Sequence, residues 1–403
     1  MRILFFTTLM GTIFGIAIIL MLRWLNKSWW EIRWVRLSAI ALPVLTILSL
    51  LAWFGGRRYD IAIIRELGGP AAAGFLIIMT GLVIALPLSG AFNLIDRLIL
   101  KWREKKSRSD YFKPDRSRRR LLRGAAATFP LMALGAGAGG VTGSFSGTKV
   151  YPLPLEFDNL PKGLEGFRIL QLSDAHLGVY KFLPDWEEIF EEASQYQPDM
   201  VLITGDLSDN LAMLPDALKA AEDFKAPYGT FASLGNHEYY RGIQQVRRIF
   251  ERSSIPLLID HGEEVSVNGS TIYVAGADDP RFMNRDTLPF LKNTVNKAVD
   301  AANGDSFKIL MSHRPEGFDP AAELGINLTL AGHTHGGQFG IAGRSIFSSF
   351  MPGRYLWGLY GDSRSRLYVT SGIGHWFPFR LGCPTEAPII ELVRAGNGHT
   401  ENG

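Results

Sequence analysis

RILQLSDAH, residues 168–176, is a short apolar run, Arg168 to Leu172, that ends in a polar cluster carrying Asp174 and His176. The same grammar recurs four times downstream. MVLIT at 200–204 runs into Gly205, Asp206 and Asp209; TFASL at 230–234 runs into Gly235, Asn236, His237 and Glu238. FKILM at 307–311 runs into Ser312, His313 and Arg314, and NLTLA at 327–331 into Gly332, His333 and His335. Between the first two lies an acidic amphipathic stretch, Pro184 to Tyr196, with helical periodicity. Short strands alternating with helices specify an α/β domain, and in such sheets the functional crevice lies beyond the carboxyl ends of the strands. Every cluster falls at such an end.

Further strands are expected at Ser270–Ala275 and Leu367–Val369, which gives a mixed two-sheet core with helices outside. Residues 336–366, rich in Gly, Ser, Arg and aromatics, read as loop and hairpin around the site. The chain has eight histidines, none before residue 176, and five of them lie inside the clusters. Divalent ions that activate water are held by carboxylates, neutral imidazoles and an occasional amide, with positions left open for substrate. Singly each cluster is weak evidence, because a Gly-Asp pair is usually a turn and a lone His after a strand is usually a hydrogen-bonded core residue.

Taken together and in this order, the clusters resemble the calcineurin-like metallophosphoesterase family, whose pattern D-x-H, G-D-x-x-D, G-N-H-D/E, H and G-H-x-H is matched in full over roughly residues 166–378. With its apolar first half the chain looks like membrane-attached bacterial members. The resemblance implies a two-sheet sandwich flanked by helices and a hydrolase of phosphomonoesters, phosphodiesters or pyrophosphate bonds. It implies one metal on Asp174, His176, Asp206 and His335 and a second on Asp206, Asn236, His313 and His333, with Asp206 bridging and a shared hydroxide as nucleophile. The identity of the two divalent ions, Mn, Fe, Zn or Ni, is not fixed by such a mixed N/O donor set. His237 is expected to face the substrate, because its neighbour Asn236 is a ligand and adjacent side chains on an extended turn point apart. Asp209 and Glu238 suit either the orientation of ligand imidazoles or plain turn and helix-cap duty. Arg380 reads either as a phosphate fork or as a surface salt bridge, and His375 as a rim residue. His261 and His399 read as surface residues, and Asp278-Asp279-Pro280 most simply as a turn before Arg281, with a loop role at the site left open by its place after the Ser270 strand. The alternative function is a metal-binding membrane sensor or scaffold without turnover. Such a protein would ordinarily lack a ligand or the substrate-facing His, and this chain lacks neither.

Outside the clusters, charge divides the chain near residue 150. Residues 1–149 hold 21 Lys and Arg against 7 Asp and Glu, a net of +14, whereas residues 150–403 hold 21 against 32, a net of −11. The basic half contains uncharged apolar runs at Ile3–Leu22, Leu37–Phe54 and Pro70–Ile95, each near the roughly 20 residues that span a bilayer core. A fourth, Ala125–Phe145, is rich in Gly and Ala and follows Ser117 to Arg123 (SRRRLLR), which resembles a twin-arginine export signal. The expected order is therefore about three transmembrane helices in 1–95, a basic cytoplasmic loop at 96–124, a fourth span or export-signal core at 125–147, and the metallophosphoesterase domain at 150–394. Twelve Lys and Arg between Asp96 and Gly124 hold that loop in the cytoplasm by the positive-inside rule, so the catalytic half is expected on the outer face. Expected partners are a phosphorylated small molecule or lipid, the bilayer and the twin-arginine export machinery. A net of −11 argues against nucleic acid. The single Cys383 excludes an intrachain disulfide.

Overall fold

The structure, a computed structural model, describes residues 2–59, 61–106, 116–351 and 353–396. Residues 107–115 of the basic loop, and His399, lie outside the described residues. The chain divides into two units, Met1–Phe145 with Phe377–Leu381, and Ser146–Trp376 with Gly382–Gly403.

In the first unit, four helices among the described residues are long and apolar enough to cross a membrane, within Phe5–Trp24, Arg33–Arg58, Ala62–Ile99 and Arg120–Ser144. Lipid offers no hydrophobic drive between helices, so small residues and side-chain hydrogen bonds must join them. Ser89 Oγ donates to the carbonyl of Ala126 at 2.6 Å, and Asn26 Nδ2 to that of Leu86 at 3.0 Å. The glycines that make the fourth segment weakly apolar are contact points. A Cβ on Gly137 would lie 2.3 Å from the Ile78 side chain, and one on Gly140 would lie 2.0 Å from the ring of Phe379. Phe377 packs 6.2 Å from Trp53, ring to ring, and the Arg380 N–H donates to the carbonyl of Gly140 at 2.7 Å.

The second unit has thirteen strands among the described residues. They are β1 (Lys149–Phe157), β2 (Arg168–Leu172), β3 (Met200–Thr204), β4 (Thr230–Ser233), β5 (His261–Val267), β6 (Ser270–Gly276), β7 (Phe307–Met311), β8 (Leu328–Ala331), the short β9 (Gly340–Ile341) and β10 (Arg344–Ser345), β11 (Gly358–Asp362), β12 (Ser365–Val369) and β13 (Glu386–Arg394). One sheet has the order β1-β13-β2-β3-β4 and a second the order β11-β12-β8-β7-β6-β5, with β9 and β10 as a separate hairpin. The expected two-sheet core is therefore present. Residues 336–366, expected as loop and hairpin, contain the β9–β10 hairpin and β11.

The pleat sends alternate residues to opposite faces, and here both faces are apolar because both are covered. Ile169, Met200 and Leu202 join Ile272, Val274, Phe307 and Ile309 in the core between the sheets. Their neighbours Leu170, Leu172, Val201 and Ile203 meet Trp186, Ile189, Leu214 and Leu218 from the flanking helices Leu183–Ser194 and Leu214–Asp223. The pairs β2–β3–β4 and β6–β7–β8 are parallel, so each sheet gathers several strand carboxyl ends along one edge.

The sheets are tied by one buried carboxylate. Glu386, 2% exposed at the start of β13, accepts from Trp357 Nε1 at 2.9 Å, the Tyr368 hydroxyl at 3.1 Å, Thr370 Oγ1 at 3.1 Å and the Ser371 N–H at 2.9 Å. Its second oxygen accepts from the Tyr151 hydroxyl at 2.8 Å. Removing the acceptor strands several buried donors, each costing on the order of 1–3 kcal/mol. Glu386→Ala should lower stability by about 3 kcal/mol or more and Glu386→Gln by less. Thermal unfolding of the full-length protein in detergent measures both; a Glu386→Ala protein as stable as wild type would contradict this account of the network.

Candidate metal centre

The clusters begin two or three residues past the strand ends: Asp174 after β2, Asp206 after β3, Asn236 after β4, His313 after β7 and His333 after β8. The chain turns sharply there. Asp174, His176, Asp206, His333 and His335 occupy the left-handed backbone region, with φ of 52°, 47°, 53°, 67° and 48°. Such conformations cost a non-glycine residue on the order of 1–3 kcal/mol and persist where the surroundings over-determine them, which is common at functional sites. Two of the motif glycines have a different cause. A Cβ at Gly332 would lie 2.0 Å from Asp174 Oδ2, and one at Gly235 would lie 2.2 Å from Asp206 Oδ1, so the carboxylates press directly on bare backbone.

Three groups of donors result among the described residues, each within metal-binding reach and two of them sharing His176: Asp174, His176 and His335; Asp206, His313 and His333; and His176, Asp209 and His237. His335 Nε2 lies 3.5 Å from Asp174 Oδ1 and 3.2 Å from His176 Nε2. Asp206 Oδ2 stands between the groups, 3.2 Å from His313 Nε2, 3.8 Å from His176 Nε2 and 4.0 Å from His237 Nε2. Asn236 is buried and its Oδ1 has no hydrogen-bond partner. An unpaired buried carbonyl is costly, and a cation would satisfy it. Oxygen and imidazole donors around one shared carboxylate fit divalent ions of the borderline kind.

Burial disfavours charge at His313, yet Asp206 and Asp174 beside it push its pKa up to about 10. Burial likewise opposes the charged form of Asp209, but hydrogen bonds from His176 and His237 hold its carboxyl well below the usual range. The site thus demands positive charge, which a divalent ion supplies as well as a proton does. His333 is the exception, lowered to about 3 by burial and then by the neighbouring positive charges of His313 and Arg314.

Asp209 faces two imidazoles. It lies 3.3 Å from His176 Nδ1 and 2.6 Å from His237 Nδ1, and it accepts from Arg241 Nε at 2.8 Å. Glu238 takes the other role allowed to it by the sequence: it accepts from the backbone N–H groups of Gly235, Asp206 and Leu207 at 2.8, 3.0 and 2.9 Å, and so caps the turn. Asn236 and His237 open the short helix Asn236–Arg241; the extended turn expected there is absent because Glu238 caps a helical turn. Arg380 groups with the helical unit, buried, and the donor clusters form without it. His375 is fully buried and stacks on Tyr180 at 5.4 Å, so it is no rim residue, while His261 is exposed. The Asp278-Asp279-Pro280 turn does more than turn: Asp279 is 4% exposed and accepts from Arg314 Nε at 3.0 Å. Arg314 stood beside His313 in the sequence, but nothing there linked it to a residue 35 positions earlier.

Fold and donor set together define a metal-binding α/β domain of the phosphoesterase class. The chain belongs to the calcineurin-like phosphoesterase family, whose family model matches residues 167–337. It is 31% identical over 267 residues to an uncharacterized metallophosphoesterase of Aquifex aeolicus, covering 62% of this chain and 93% of that protein. Against an uncharacterized metallophosphoesterase of Campylobacter jejuni it is 32% identical over 248 residues, covering 60% of this chain but only 63% of the relative. A Danio rerio protein described as a transmembrane protein with metallophosphoesterase domain is 30% identical over 258 residues, covering 61% of this chain and 58% of that protein.

Loss of a partner that orients a ligand imidazole typically costs 10–100-fold in metal affinity. Asp209→Ala should therefore weaken Mn²⁺ binding by roughly 10–100-fold, while Glu238→Ala acts chiefly on stability. Calorimetric titration of the stripped full-length protein separates the two, and equal Mn²⁺ affinity in Asp209→Ala and wild type would refute the orienting role.

Proposed function

We propose that the chain is a membrane-anchored, metal-dependent phosphohydrolase acting on a phosphomonoester, phosphodiester or pyrophosphate bond of a lipid or cell-envelope substrate. The observation that carries this reading is the position of Asp206 Oδ2 within 4.0 Å of three imidazoles from separate loops. Asp174, His176, Asp206 and His335 would hold one divalent ion, and Asp206, Asn236, His313 and His333 a second. A bound ion supplies Lewis acidity and a water acidic enough to attack phosphorus near neutral pH. The protein supplies the rest. His237 has its Nδ1 fixed on Asp209, and its side chain is 14% exposed against 1% for His176, so its Nε2 suits proton transfer to the leaving oxygen. Arg241, 37% exposed, donates to the same carboxylate at 2.8 Å.

Four apolar helices and a basic segment of twelve Lys and Arg support a multi-pass anchor with that segment in the cytoplasm and the phosphoesterase domain on the outer face. Ser117 to Arg123 fall in the first turns of the helix Arg116–Ser144, where a twin-arginine export signal would precede its apolar core. Tethering would raise the effective concentration of the enzyme toward substrates in the same membrane.

Two outcomes are expected of the metal site. Asp206→Asn abolishes hydrolysis and lowers metal content, whereas His237→Ala retains the metal and loses about 10²- to 10⁴-fold in rate. Metal analysis with a panel running from nitrophenyl esters to lipid pyrophosphates reads both, and a His237 variant that loses metal but keeps activity would reverse the assignment. Alkaline phosphatase fused after Thr148 should be active and after Lys113 inactive; the opposite pattern would overturn the topology and leave the metal site untouched.

A further inference from the structure

Arg314 is 3% exposed, and its guanidinium is committed in three directions. Nε donates to Asp279 Oδ2 at 3.0 Å, one η nitrogen contacts His333 Nε2 at 2.8 Å, and the other reaches the carbonyl of Arg281 at 3.4 Å. A guanidinium only donates, so His333 Nε2 must be the acceptor. A neutral imidazole has a single lone pair, its other nitrogen carrying the proton. While Arg314 holds Nε2, that lone pair is spent, and neither ring nitrogen can bind a cation. Ligation of a metal by His333 and the Arg314–His333 hydrogen bond are therefore mutually exclusive.

When a cation takes His333, the guanidinium does not leave, because Nε stays on Asp279. One buried N–H loses its acceptor and needs another. Phosphoryl oxygen is the acceptor that the reaction brings to this place, and arginine binds it with a charge-assisted bond. We propose that Arg314, braced by Asp279, is the phosphoryl-binding residue of this site, and that metal ligation at His333 releases it for that role. Cation binding then precedes phosphate binding. The inference rests on the phosphohydrolase reading and adds a group that the five metal-ligand clusters do not require.

The test uses full-length protein in detergent, stripped with EDTA and titrated calorimetrically with Mn²⁺ and then with inorganic phosphate. Arg314→Gln is compared with Arg314→Gln/Asp279→Asn, which leaves no unpaired buried charge and guards against a folding defect in the single variant. Wild type should bind phosphate when loaded with Mn²⁺ and not when stripped. Both variants should bind Mn²⁺ at least as tightly as wild type, because the competitor for the His333 lone pair is gone, and should bind phosphate at least about tenfold more weakly. A residue that merely props His333 would behave in the opposite way, its loss costing roughly 10–100-fold in metal affinity. Weaker Mn²⁺ binding in the double variant, unchanged phosphate affinity, or equal phosphate binding by stripped wild type each overturns the inference alone. A wild type that takes up no Mn²⁺ overturns the proposed function as well.

Discussion

Three carboxylates, Asp174, Asp206 and Asp209, each lie within 3.9 Å of one imidazole, His176, with side chains 1–3% exposed. Charges removed from water in this way are costly unless other groups replace the lost hydration. The local architecture supplies that replacement. Asp174 accepts from the His333 N–H and from Ser173 Oγ, Asp206 accepts from the His237 N–H, and Asp209 takes two imidazoles and Arg241. These donors converge only if the loops pass almost in contact, which is why glycine precedes Asn236 and His333, and why five acids and histidines accept left-handed backbone.

Strain of that kind needs a rigid frame, and the sheets provide one by simple means. Strands of five residues with every face covered leave no side chain free to relax, and parallel pairing gives consecutive loops a common edge. Glu386 adds a link between the sheets whose five donors come from strand, loop and aromatic residues scattered from 151 to 371. Stability and function share this geometry: the core fixes strand ends, the strand ends fix the turns, and the turns hold carboxylates where a cation is wanted.

What could be read from residues 168–335 was local in kind. A strand followed by acids and histidines is a pattern confined to about ten residues, so both the sheet class and the donor set were legible. The outermost partners were not, since β1 pairs with β13 across more than two hundred residues and neither run contains a cluster. Glu238 could be given two roles because an acid three residues past Gly235 satisfies both a cap and an imidazole partner; only the direction of its oxygens decides for the cap. Asp279 looked like a turn residue and is one, yet its second oxygen meets Arg314 from the loop after β7. Long-range pairing of charges has no period and leaves no trace in sequence.

The helical half makes the complementary point. Hydropathy ranks its fourth segment weakest because it counts side-chain apolarity, and glycine has none to offer. Packing ranks the same glycines as contacts, since Gly137 and Gly140 approach neighbours more closely than any Cβ allows, and Gly81 of the preceding helix does the same against Ala133. In lipid, where association depends on close van der Waals fit, a helix that gives up apolar surface for contact is held by its partners rather than by the solvent. Export signals also have weakly apolar cores, so low hydropathy alone does not distinguish the two roles. The contacts of Gly81 with Ala133, Gly137 with Ile78 and Gly140 with Phe379 are what hydropathy leaves out, because it counts apolar surface and not the fit between surfaces.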